Sequence, residues 1–142
     1  MTLDLLVVDR LVVNYKEPIF DQNDVEIGET IETLPLYHIT ALKEKFPQAS
    51  FFNNYQDAET HINQGNSVDV AVVNPLLQWE LSKGRNLMKK FKENGTKVIF
   101  VYNGIEPRDL KLIKGVHYDK KHGPIYMPEQ LIEQIIWSNS HG

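Results

Sequence analysis

The stretch "SVDVAVVNPLLQWEL", Ser67–Leu81, decides how the chain is read. From Val68 to Val73 every residue except Asp69 is apolar, and the run stops at Asn74-Pro75. Successive apolar residues, with no alternation, mark a strand buried on both faces, as in parallel sheets covered by helices on each side. "LLVV" at Leu5–Val8 and "VIFV" at Val98–Val101 have the same character. In sheets of this type, ligands and reactive groups gather at the carboxyl ends of the strands. Asn74 stands at such an end, and it offers an amide where a reactive carboxylate would be expected.

Working outward, the pattern alternates between strand and helix. Leu3–Val8 is an aliphatic run ending at Asp9-Arg10, and Leu11–Tyr15 adds further β-branched character. Lys16–Glu32 breaks the alternation with Pro18, the polar cluster Asp21-Gln22-Asn23-Asp24 and Gly28, which reads as a loop or hairpin turning near "DQND". The apolar content between Arg10 and Glu32 (Leu11, Val12, Val13, Ile19, Phe20, Val25 and Ile27) is too high for a floppy loop, so the excursion is expected to pack as a hairpin over the pocket edge or to form part of an interface. Thr33 is expected to cap a helix through Phe46, with Pro35 in the first turn and Leu36, Ile39, Leu42 and Phe46 on one face. Ala49–Phe52 reads as a strand, and Asn54–Gln64 as a helix closed by Gly65. Leu81–Glu93 reads as a helix burying Leu81, Leu87, Met88 and Phe91. Gly84 within it costs about 1 kcal/mol relative to Ala. A helix over Pro107–Lys114, a weak strand at Val116–Tyr118 and a final helix opened by Pro128 complete the series. Leu131, Ile132, Ile135 and Ile136 are expected to face inward. The alternation predicts one α/β domain over 1–142, with an insertion at about 10–32.

Composition excludes several classes. The formal net charge of −4 and the lack of a basic stripe argue against nucleic-acid binding by this domain alone. There is no cysteine, hence no disulfide framework, thiolate nucleophile or cysteine-held zinc. The first apolar run is short and carries Asp4 and Asp9, unlike a signal peptide. Nowhere do about 18 apolar residues run together, so no membrane span is expected and the cytoplasm is the expected location.

The order of elements resembles the receiver domain of bacterial two-component response regulators. "LDLLVVD" looks like the first receiver strand with its acidic end. "VDVAVVNPLLQWELSKGRNLMKKFKENGTKVIFVYNG" looks like the third strand, third helix and fourth strand, and "KGVHYDKKHGPIYMPEQLIEQI" is similar to the fifth strand and last helix. The resemblance covers most of the chain outside about Arg10–Glu32. It implies a flavodoxin-like three-layer sandwich with a five-stranded parallel sheet in the order 2-1-3-4-5. Receivers hold magnesium with an acidic cluster at the strand ends, phosphorylate an aspartate ending the third strand, and read the phosphate with a Thr or Ser and a Lys.

Residue by residue, that chemistry does not carry over. The phosphoacceptor position falls on Asn74, which cannot act as a carboxylate nucleophile. The acidic pair falls on Asp9 and Arg10, leaving one carboxylate beside a cation, read as a local ion pair or a solvated strand end. The Thr/Ser position falls on Tyr102. The Lys position falls at His122 counted from Gly115 or at Pro124 counted back from Pro128, with Lys121 adjacent. Magnesium prefers hard anionic oxygens, and acyl-phosphate formation needs a carboxylate in place. Asn74-Pro75 is read equally as the start of a turn.

Among other constellations, no two of the five histidines have the spacing of a zinc-protease helix. His38 reads as a boundary residue on its helix. No phosphate loop and no G-x-S-x-G elbow occur. Neither a metal nor a cofactor is expected, and the chain is not expected to be an enzyme. The expected function is a phosphorylation-independent, receiver-like regulatory module in signalling or transcription control. It would act through a protein partner or through homodimerisation, with Trp137 as a candidate interface residue. The alternative is a small-ligand binder using the crevice around Asp9, Asn74, Tyr102 and Asn103.

Overall fold

The computed structural model describes residues 3–75, 77, 81–101 and 128–141. In chain order its elements are β1 (Leu5–Val8), β2 (Val12–Phe20), β3 (Glu26–Pro35), α1 (Tyr37–Lys45), β4 (Ser50–Phe52), α2 (Tyr55–Asn63), β5 (Val70–Val73), α3 (Leu81–Glu93), β6 (Lys97–Phe100) and α4 (Pro128–Ser140). Four strands form one parallel sheet in the order β4-β1-β5-β6. The layout is α/β and compatible with a flavodoxin-like arrangement. The expected helix at Pro107–Lys114 and strand at Val116–Tyr118 lie outside the described residues.

The unalternating aliphatic runs do what their composition dictates: successive side chains of each strand enter opposite cores. Leu6, Val8, Ala71, Val73, Val98 and Phe100 meet Tyr55, Ala58 and Ile62 of α2 and Leu87, Met88 and Phe91 of α3. Leu5, Val7, Val70, Val72, Ile99 and Val101 meet Ile39 and Leu42 of α1 and Leu131 and Ile135 of α4. The sheet is therefore the middle of three layers. Ile136 does not face inward as its spacing suggested: it is exposed, while Ile132 packs partly against the core. The inward stripe of α4 is narrower than the run of isoleucines.

The insertion is a hairpin, β2 paired antiparallel with β3 from Val12↔Pro35 to Phe20↔Glu26, with an irregularity at Ile19/Phe20. Asp21 builds its turn. The Oδ1 of Asp21 accepts from the backbone N–H of Asn23 (2.8 Å) and of Val25 (3.0 Å), and Asp24 sits at φ 60°, a conformation Asp tolerates. The hairpin runs past Glu32 to Pro35, which corrects the expected helix start at Thr33. Thr33 caps nothing: its Oγ1 donates to the Asn14 Oδ1 across the hairpin (2.8 Å). Helix α1 begins at Tyr37 after Leu36, without a side-chain cap. Long-range pairing with Val12–Asn14 overrode a local cap signal. At the foot of the hairpin the Leu36 N–H donates to the Leu11 carbonyl (3.1 Å).

Candidate functional site

The carboxyl ends of β1 and β5 meet at Asp9 and Asn74. Sheet hydrogen bonds carry both residues into place: the Asp9 N–H donates to the Phe52 carbonyl (3.1 Å) and the Asn74 N–H to the Val8 carbonyl (2.8 Å). Asp9 is only 4% exposed, so its carboxylate needs partners, and it has three. Its Oδ1 accepts from the Arg10 N–H (2.7 Å) and from the Asn74 side-chain amide (2.9 Å). Its Oδ2 lies 2.7 Å from His38 Nε2. A carboxylate oxygen accepts, so Nε2 is the protonated nitrogen of that ring in this geometry. Asp9 is thus neither a solvated strand end nor ion-paired with Arg10. Arg10 contributes its backbone N–H, and the side-chain partner from α1 is His38.

His38 is the residue that sequence reading placed at a mere boundary. It stands on the first turn of α1, 29 positions from Asp9, with the whole hairpin between them. No spacing rule links the two; only the hairpin's closed foot brings α1 back to the end of β1. Of the other residues singled out, Asp9 and Asn74 do come together, through a direct hydrogen bond. Trp137 stands apart, exposed on α4 and stacked on His141 (ring centroids 4.5 Å, interplanar 12°). Tyr102, Asn103 and Lys121 lie outside the described residues.

A second set of contacts fixes the loop leaving β5. The Tyr55 hydroxyl, at the start of α2, donates to the Asn74 carbonyl (2.6 Å) and accepts from the Leu77 N–H (2.8 Å). Tyr55 is buried. Helix α3 closes on the same point: a Cβ added at Gly84 would lie 2.8 Å from the Pro75 carbonyl oxygen and 3.0 Å from the Tyr55 hydroxyl. Glycine at position 84 is required by this approach.

Magnesium does not fit these residues. Both Asp9 oxygens already serve nitrogen donors, and Asn74 turns an N–H donor, not an anionic oxygen, toward the point between the strands. Among the described residues no group of three or more His, Asp or Glu side chains could hold a metal ion. A carboxylate and an imidazole so arranged can orient a proton and tie α1 to the sheet. A shallow polar hollow of about 250 Å³ lies at the opposite end of the strands, lined by Asp4, Gln48, Ser50, His61 and Asn66 among others. It is not the crevice expected at the carboxyl ends.

No family model, curated protein or solved structure matches the chain. Among the described residues no helix is long and apolar enough to cross a membrane.

Proposed function

We propose that the chain is a receiver-like regulatory module that has exchanged phosphotransfer for a fixed hydrogen-bonded rim. In this reading the fold is flavodoxin-like, with a fifth parallel strand completing the order 2-1-3-4-5. The module is not an enzyme, and it acts in signalling or transcription control by contacting a protein partner or a second copy of itself. The observation that carries the reading is the Asp9–Asn74 hydrogen bond of 2.9 Å. An amide at the end of β5 donates to the carboxylate at the end of β1, and His38 occupies that carboxylate's other oxygen. A receiver works by adding negative charge at this point and biasing a two-state element. Among the described residues the end of β5 offers no carboxylate to accept that charge, and Asp9 is already partnered, so in this reading regulation comes through contact.

The test is a titration with magnesium and beryllofluoride, a phosphoryl mimic, followed by tryptophan fluorescence. The expected result is no saturable change that depends on both additives. A saturable change requiring both would overturn the reading.

A further inference from the structure

The hairpin is an arm whose exposure the rim does not explain. Every residue of β3 is exposed, Ile31 at 63% and Phe20 of β2 at 55%. Two strands with both faces in water are marginal on their own. The pairing register sorts their side chains by face. One face carries Lys16 and Glu29, which offset each other. The other carries Glu17, Ile19, Glu32 and Leu34 and no cation. Over residues 12–35 six carboxylates (Glu17, Asp21, Asp24, Glu26, Glu29 and Glu32) face Lys16 alone, a net −5. Since the chain totals −4, everything outside the arm sums to +1.

The complement of that charge stands on the same chain. Helix α3 exposes Lys83, Lys89 and Lys92, and its one acid is Glu93. Lys90 is already paired with Glu59 (2.9 Å). Lys89 and Lys92 lie one turn apart on a single face, their Cβ atoms about 5–6 Å from each other. Glu17 and Glu32 are diagonal cross-strand neighbours at roughly 7–8 Å, a spacing flexible lysines span. The aliphatic stems of lysines cover apolar side chains while their ammonium groups reach carboxylates, which suits Ile19 and Leu34 beside the two glutamates. The arm leads into α1, and α3 packs on the other side of the sheet. Among the described residues no ion pair joins the arm's carboxylates to α3 within one chain.

We propose that the Glu17–Glu32 face of one copy's arm docks on the Lys89–Lys92 face of α3 in a second copy, with the second arm docking in return to close a two-fold dimer. This names the partner left open by the regulatory reading, and it fails or stands separately from it, because the magnesium and beryllofluoride titration does not touch the arm.

A charge exchange tests it by sedimentation velocity on the full chain. The wild type is expected to show a concentration-dependent monomer–dimer equilibrium that weakens as salt is raised. The double substitutions E17K/E32K and K89E/K92E, each alone, are expected to raise the dimer Kd about tenfold or more, since four surface pairs turn repulsive. Mixed in equal amounts, the two variants should form a heterodimer, and a chain carrying all four changes should dimerise with itself. All four side chains changed are solvent-facing, so circular dichroism should show each variant folded. A monomeric wild type would overturn the proposal, as would a dimer unmoved by the exchanges or strengthened by salt.

Discussion

Gly84 shows at the scale of one residue how a helix position inverts its usual preference. In an isolated helix, replacing glycine by alanine gains about 1 kcal/mol. Here the added methyl would press on the Pro75 carbonyl and the Tyr55 hydroxyl, neither of which can move without disturbing the hydrogen bonds that Tyr55 makes to Asn74 and Leu77. Gly84→Ala is expected to destabilise the fold by about 1–3 kcal/mol, the cost of overpacking, as measured by chemical denaturation. A stabilised variant would show that α3 has room to back away. The helical cost of this glycine was legible in the sequence, but the reason for it was not, because the atoms it accommodates lie in a different turn and a different helix. Asp9 and Asn74 follow the same pattern. Their strand-end positions followed from the aliphatic runs before them, whereas the imidazole that shares Asp9 came from beyond a long insertion.

At the scale of elements, those with strong periodicity were found where the pattern put them. Helix α3 buries Leu87, Met88 and Phe91 as a helical stripe, and Gly65 and Gly95 stand at positive φ (86° and 78°) just past the ends of α2 and α3. The misplaced boundary was at Thr33. A threonine followed by Pro35 imitates a helix start, and only the distant β2 strand reveals it as the end of a hairpin. The hairpin's own turn rests on Asp21, whose carboxylate holds two backbone N–H groups. Asp21→Ala removes both acceptor contacts, at about 0.5–1.5 kcal/mol each. The loss is local, because no described side chain of the turn or of β3 belongs to the core. Amide hydrogen exchange should quicken across Phe20–Ile27 while the sheet's protection and the thermal midpoint stay unchanged. A lowered midpoint would mean that the arm and the sheet unfold together.

For the whole molecule, the division between arm and body is the main structural fact. Among the described side chains neither core includes a residue of β2 or β3, and the arm enters and leaves the body at Leu11 and Leu36, which are joined by a hydrogen bond. Excising 12–35 and closing the gap with a short glycine linker is expected to leave a cooperatively folding body, read by circular dichroism and thermal melting, and to abolish dimerisation. A body that fails to fold would make the arm part of the core. The three-layer plan was legible because parallel strands buried on both sides leave so plain a trace in sequence. An arm whose described side chains are exposed on both faces leaves no such trace, since alternation signals burial on one face only.

The foot of the arm has one more property. Asp9 precedes it and His38 follows it, so their 2.7 Å contact clasps the two legs of the hairpin where they join the sheet. The same carboxylate holds the Asn74 amide, so the point where the arm joins the sheet and the end of β5 share one side chain.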